Sequence, residues 1–218
     1  MVDRRKSTIT QKTMIHECHI DTLRLPEIDA GCKYTPEIDV RLVAFWASQT
    51  HGDYLEIGCN TGQTLKAIAQ HCPTKICNGV DWSVNKKIWD TQKTEIPLKV
   101  GSDLGGKVPN ARIYDCDALS LNLHDFNYGC VFLDADHSID WQKEMFLHLW
   151  NHNNYRDWIL IVHDSSDALH RWCITHVETN AFLKYLSNMF PVIHWVGTSC
   201  ATAFISRRGQ EPPSISDQ

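Results

Sequence analysis

The chain has 218 residues, of which 43% are hydrophobic and 22% charged, with a net charge of −5. That is ample for one buried α/β core and argues against a nucleic-acid partner held on a basic surface. No apolar run reaches membrane-spanning length. The nine cysteines are scattered, and the opening Met1-Val2-Asp3-Arg4-Arg5-Lys6 lacks the apolar core of a secretion signal, so free thiols in a reducing cytoplasm are expected.

Residues 1–34 read as an N-terminal extension whose scattered apolar positions (Ile15, Ile20, Leu23, Leu25) suit a cap or lid. Residues 35–208 read as the globular domain and 209–218 as a polar tail. Thr35-Pro36-Glu37 has the chemistry of N-cap, first helical position and first-turn acid. The helix it opens runs to about Gln49 and buries Val40, Val43, Ala44 and Ala47. From there strands alternate with helices. Tyr54–Ile57 is the first strand and Thr64–His71 a crossover helix; Ile76–Val80 is the second strand and Val84–Thr94 an amphipathic helix. Ala111–Tyr114, Cys130–Leu133 and Trp158–Val162 are the next strands, with helices over Ile139–Trp150 and Leu169–Phe190. Val192–Val196 and Ala201–Ser206, joined through Gly197-Thr198-Ser199, read as an antiparallel hairpin. The order predicts an α/β fold with a mostly parallel sheet, helices on both faces and right-handed crossovers. The glycine-containing loop from Ile96 to Asn110 is long enough to be functional or an insertion.

Ligands of open α/β sheets lie beyond the carboxyl ends of the strands. The run Asp53-Tyr54-Leu55-Glu56-Ile57-Gly58-Cys59-Asn60-Thr61-Gly62-Gln63-Thr64 ends a strand at a glycine turn that opens a helix, which aims helix N–H groups at whatever occupies the strand end. Its spacing is Glu56-x-Gly58-x-x-x-Gly62, with Asn60, tolerant of left-handed backbone, between the glycines. That spacing is not the G-x-G-x-x-G of a dinucleotide enzyme. Asp81 closes the second strand, where it can accept a diol or cap the segment from Ser83. Asp134-Ala135-Asp136-His137-Ser138 follows the fourth strand and His163-Asp164-Ser165 the fifth. Carboxylates converging from neighbouring strand ends are costly without a cation. Oxygen ligands favour Mg²⁺, and imidazole admits Mn²⁺, Fe²⁺ or Zn²⁺. Asp136 or Ser138 could instead simply cap the following helix.

The glycine turn resembles motif I of the class I S-adenosylmethionine (SAM)-dependent methyltransferases. The Asp134-x-Asp136-His137 and His163-Asp164 pair is similar to the small-molecule O-methyltransferases that use a divalent metal, of the sugar, macrolide and catechol types. The resemblance spans about residues 35–206 and implies a Rossmann-like seven-stranded sheet with a C-terminal antiparallel hairpin. It implies SAM bound by Glu56, Gly58, Cys59, Asn60 and Gly62, with Asp81 on the ribose and Asp117 and Ala118 at the adenine, Asp115 competing with Asp117. Asp134, Asp164 and His163 become metal ligands, Mg²⁺ foremost, and Asp136 or His137 the general base. Asp136 is favoured there because alternate residues of an extended strand share a face. The partner expected is a small-molecule substrate, with neither nucleic acid nor membrane, and a homo-oligomer is compatible. A metal-dependent oxygenase using His137, His163 and a carboxylate, and a non-catalytic SAM-binding module, are the competing functions.

Overall fold

Apolar runs of five or six residues form the centre of the molecule, because a strand buried on both faces of a parallel sheet needs no polar alternation. The computed structural model describes residues 15–28, 31–84, 87–89, 95–105, 108–165 and 174–207. In chain order these contain β1 (Ile15–His19), α1 (Glu37–Gln49), β2 (Asp53–Ile57), α2 (Gln63–His71), β3 (Cys77–Asp81), β4 (Lys87–Trp89), β5 (Glu95–Pro97), β6 (Ala111–Asp115) and β7 (Tyr128–Leu133). There follow α3 (Ile139–His152), β8 (Asp157–Val162), α4 (Ile174–Ser187), β9 (Val192–Val196) and β10 (Ala201–Ser206).

The main sheet has the order β1-β9-β10-β8-β7-β2-β3-β6. Only β10 runs against its neighbours, pairing antiparallel with β8 and β9. From β2 the chain winds outward through β3 to β6, then returns to the other side of β2 with β7 and β8. This reversal opens a crevice over the carboxyl ends of β2 and β7, the usual place for a ligand in such a sheet.

The faces are divided by residue alternation. Leu55, Ile57, Val131 and Leu133 join one core with Met145, Phe146 and Leu149 of α3 and Phe182 and Leu186 of α4. Tyr54, Cys130 and Phe132 join the other with Val40, Val43 and Ala47 of α1 and Leu65 and Ile68 of α2. The first core centres on Phe146, whose ring meets Trp150, Trp158, Phe182 and Phe190. Such aromatic clusters supply much of the burial energy of a domain this size.

The structure departs from the sequence reading at four places. The sheet has eight strands instead of seven: β1 adds to the edge by parallel pairing with β9, Ile15 opposite Val192 through His19 opposite Val196. Four of its five residues are exposed or nearly so, and so its local pattern is silent. Within the stretch Val84–Thr94, read as a helix, the described residues Lys87–Trp89 form a strand paired antiparallel with Glu95–Pro97. A stretch with apolar residues at both helical and strand spacing is settled by its pairing partner. Helix α4 runs Ile174–Ser187, inside the expected Leu169–Phe190, and His170 and Trp172 lie outside the described residues. Finally, Pro36 and not Thr35 is the N-cap of α1; Thr35 Oγ1 instead accepts from the Thr64 hydroxyl at 3.1 Å.

Candidate active site

The turn after β2 is shaped by main-chain demands. Gly58, Asn60 and Gly62 all take positive φ (93°, 51° and 86°), the region open to glycine and tolerated by asparagine. At Gly58 a Cβ would lie 1.9 Å from the Asp134 carbonyl oxygen, because the turn passes directly over the end of β7. The N–H groups of Gly58 and Cys59 donate to the Val80 carbonyl, and the Asn60 N–H donates to Asp81 Oδ2 at 2.8 Å. The loop from Leu98 braces the turn from outside: Gly101 N–H donates to the Asn60 carbonyl and Asp103 N–H to that of Thr61. Gln63 clamps both sides, donating to Asp103 Oδ2 at 2.7 Å and accepting from the Lys33 N–H at 2.6 Å.

A cavity of about 410 Å³ lies on the β3–β6 side of this turn, lined by Gly58, Asp81, Trp82, Asp117, Ala118 and Trp141 among others. Asp81 Oδ1 also accepts from the Trp82 N–H at 2.7 Å. Asp117 Oδ1 accepts from Leu119 N–H, capping the short 3-10 turn Ala118–Ser120. Asp115 is spent elsewhere: Ser83 donates its N–H and its hydroxyl to the two carboxylate oxygens, and these bonds hold the Asp115 carboxyl below its usual pKa. Asp117, not its neighbour, therefore faces the cavity.

A second cavity, about 220 Å³, opens on the other side of the turn, lined by Cys32, Tyr34, Thr35, Glu56, Asn60, Thr61, Asp134, His163 and Asp164 among others. Glu56 is buried and accepts from the Tyr54 hydroxyl at 3.0 Å. Burial, more than the nearby charges of Asp134 and Asp81, pushes its pKa well above the usual carboxylate value. Asn60 Oδ1 and Thr61 Oγ1 are buried there with no partner among the described residues. Such groups cost about 1–3 kcal/mol each until something meets them, which marks a place made for a polar ligand.

The floor of this cavity is ionic. His163 Nδ1 lies 3.0 Å from Asp134 Oδ1 and 3.4 Å from Asp164 Oδ1, while its Nε2 lies 3.2 Å from Asp39 Oδ2. Burial opposes charge on this ring, yet Asp134, Asp39 and Asp164 outweigh it and hold the His163 pKa well above the imidazole value. His137 Nε2 stands 3.3 Å from Asp164 Oδ2, and one donor atom each from Asp134, His137 and Asp164 falls within 4.8 Å of the others. Asp164 itself has φ 52°, in the left-handed region, with its carboxylate between the His137 and His163 rings.

Asp134 and Asp136 do not share a face. Strand β7 stops at Leu133, so strand alternation no longer governs the residues beyond. Asp136 is exposed, borders the 410 Å³ cavity and accepts from the Ser138 N–H at 2.8 Å. His137 is the residue brought beside Asp134 and Asp164. The N-terminus of α3 is capped from a distance, by Glu178 accepting the Ile139 N–H at 3.1 Å. Sequence reasoning missed Asp39, which looks like an ordinary first-turn acid of α1. Its only local oddity is an acid at a position whose helical neighbours Val40, Val43 and Ala47 are buried.

No protein-family profile matches the chain, and no curated protein matches it in sequence. Solved structures do match in fold. A Staphylococcus aureus protein described as a caffeoyl-CoA O-methyltransferase aligns with a TM-score of 0.59 at 13% identity, over 87% of this chain and 92% of that one. A Podospora anserina methyltransferase, PaMTH1, solved with S-adenosylhomocysteine (SAH), gives 0.58 at 12% identity over 80% of each chain. TomG, an O-methyltransferase of Streptomyces achromogenes involved in tomaymycin synthesis and solved with SAM, gives 0.55 at 14% identity over 85% of this chain and 93% of that one. The chain has the Rossmann-like α/β fold of these methyltransferases.

Proposed function

We propose that the chain is a SAM-dependent methyltransferase that moves a methyl group to a hydroxyl of a small molecule, with a divalent metal holding that hydroxyl. One observation carries the reading. The glycine turn has a cavity on each side, one suited to a nucleoside and the other lined by unpartnered polar atoms above a carboxylate–histidine floor. The SAM-bound and SAH-bound states of the fold neighbours support it.

The residues fit SAM. Asp81, Asp117, Ala118 and Trp141 line one cavity, which supports Asp81 as acceptor of the ribose hydroxyls, Asp117 and the Ala118 N–H as partners of the adenine edge, and Trp141 as a stacking face. Glu56, Asn60 and Thr61 face the methionine end, with Gly58 and Cys59 giving the close main-chain approach, while Gly62 packs against Gly101 and Leu104. The donor set also fits a divalent ion: Asp134 and Asp164 supply oxygens and His163 a ring nitrogen, from adjacent strand ends. Bound there, such an ion would lower the pKa of the acceptor hydroxyl and fix its position. His137 is the better base than Asp136. It is 24% exposed and borders the acceptor side through Asp164, and an imidazole can take a proton near neutral pH. The walls orient the acceptor oxygen in line with the sulfonium methyl, and the oxygen's proton passes to His137. Eight described cysteines are free thiols, which suits a reducing compartment, and no described helix is long and apolar enough to cross a membrane.

Calorimetry with SAH, with and without EDTA, tests the reading, followed by methyl transfer to a panel of phenols and sugar hydroxyls. Micromolar SAH binding and chelator-sensitive transfer are expected. NAD binding without SAH binding sinks it. Full transfer in excess chelator would reassign Asp134 and Asp164 to acid–base work.

A further inference from the structure

The His163 ring is held at both nitrogens by carboxylates that come from opposite directions. On one side stands Asp39, wholly buried in the first turn of α1. Its Oδ1 accepts the Ser199 N–H at 2.9 Å, which anchors the carboxylate to the turn between β9 and β10. Its Oδ2 lies 3.2 Å from His163 Nε2. A carboxylate only accepts, so the Nε2 facing it carries a proton. The other ring nitrogen, Nδ1, faces Asp134 Oδ1 and Asp164 Oδ1, 3.0 and 3.4 Å away; in the metal-free chain it carries a proton as well, and an ion bound there would take that proton's place. Two carboxylates converging on that nitrogen call for a positive charge between them, supplied by the ring proton without metal and by the ion once it binds. The separations are those of neighbouring donors around one ion held at about 2.1 Å. Cys200, whose thiol lies within 4.8 Å of Asp39 and His163, is raised by burial and stays neutral, so no thiolate competes.

We propose that Asp39 is a positioning residue that locks His163 as a nitrogen ligand, so that the site takes an imidazole-accepting ion (Mn²⁺, Fe²⁺, Co²⁺ or Zn²⁺) in preference to Mg²⁺. The inference rests on the metal-assisted reading above. A histidine ligand is oriented by the group bound to its other nitrogen, and loss of such a group commonly costs ten- to a hundredfold in metal affinity. Mg²⁺ prefers oxygen and keeps its waters, whereas the later divalent ions gain from imidazole. A histidine present only to fill the core would need no buried carboxylate tied to a second loop behind it.

Asparagine at position 39 makes a sharp test. The Ser199 N–H is a fixed donor, so the amide oxygen must face it and the amide NH₂ must face Nε2. The ring is then forced into the tautomer with its proton on Nδ1, aimed where the ion would sit. Size, shape and the Ser199 bond are kept; only the tautomer changes.

The experiment titrates metal-free wild-type protein and Asp39→Asn with Mn²⁺ and with Mg²⁺ by calorimetry, and titrates the same samples with SAH. Pulsed EPR of the Mn²⁺ form reads whether an imidazole nitrogen is bound. Expected for wild type are tighter binding of Mn²⁺ than of Mg²⁺ and a directly coordinated imidazole nitrogen. In Asp39→Asn, Mn²⁺ affinity falls about ten- to a hundredfold with unchanged SAH affinity. Equal Mn²⁺ affinity in the two proteins, or wild-type Mn²⁺ with no coupled nitrogen, overturns the inference. The EPR result on wild type decides it even if the variant fails to fold. Normal SAH binding alongside such a negative result leaves the methyltransferase reading standing, whereas loss of SAH binding in wild type would strike that reading instead.

Discussion

On the β3–β6 side of the crevice a ligand would meet main chain and single acceptors: the turn at Gly58, the Asp81 carboxylate, the Ala118 N–H. On the β7–β8 side it would meet ionisable side chains packed against one another, with His163 between Asp39, Asp134 and Asp164 and His137 at the rim. The first half is set by backbone shape and tolerates little change in volume. The second is set by charge balance and tolerates little change in donor chemistry. Binding of a common cofactor and choice of chemistry are thus separated across one glycine turn, and substitutions on the two sides should fail differently.

The largest effect is expected at the shared wall. Gly58→Ala puts a methyl 1.9 Å from the Asp134 carbonyl at φ 93°, so the turn or the β7 end must move. A loss on the order of 4 kcal/mol or more in unfolding stability is expected, with both cavities spoiled. A thermal melt that matches wild type would show that the two halves are less tightly joined than their geometry implies.

Next comes the base. His137→Ala should depress turnover by about two to four orders of magnitude with SAH affinity unchanged, while Asp136→Asn stays near wild type. Reversed results would move the base to the cofactor side of the turn and erase the proposed division. On that cofactor side, Asp81→Ala should weaken SAH binding by about 2 kcal/mol, since a charged acceptor of the ribose is lost. The same substitution frees the Asn60 and Trp82 N–H groups, so part of the loss reflects a slackened turn. Unchanged calorimetric affinity removes Asp81 from the site.

The smallest effect concerns Glu56, which sits between the halves. Burial raises its folded-state pKa, so the folded chain holds this proton more tightly than the unfolded chain does. That contribution to stability is fully present below the ordinary carboxylate pKa and is lost as pH rises through the raised value. Glu56→Gln removes the titration. In ligand-free protein its melting temperature should therefore gain on wild type from pH 4 to pH 8, with SAH affinity reduced. Parallel curves would mean that the buried carboxyl is already compensated.

Much of the fold was readable locally. The acid- and glycine-terminated strands, the buried face of α1 and the β9–β10 hairpin follow from alternation, helical spacing and turn residues, each a property of a few neighbouring positions. The turn from Gly58 to Gly62 was readable for the same reason: positive φ is demanded within five residues and only certain side chains allow it. What failed locally was whatever depended on a pairing partner outside the element itself. Strand β1 exists because β9 offers its edge, and β4 because β5 lies opposite.

The site divides in the same way. By itself the sequence determined that acids and histidines would gather at the ends of β7 and β8, because those strand ends carry them. Only the tertiary structure decided that His137, not Asp136, joins Asp134 and Asp164, since the strand stops at Leu133, before either acid, and alternation no longer holds there. It alone brought Asp39 to His163 across 124 residues. A hydrogen bond between two buried side chains leaves no periodic trace in the sequence. It exists because α1 and β8 pack on the same face, and packing is a property of the whole chain.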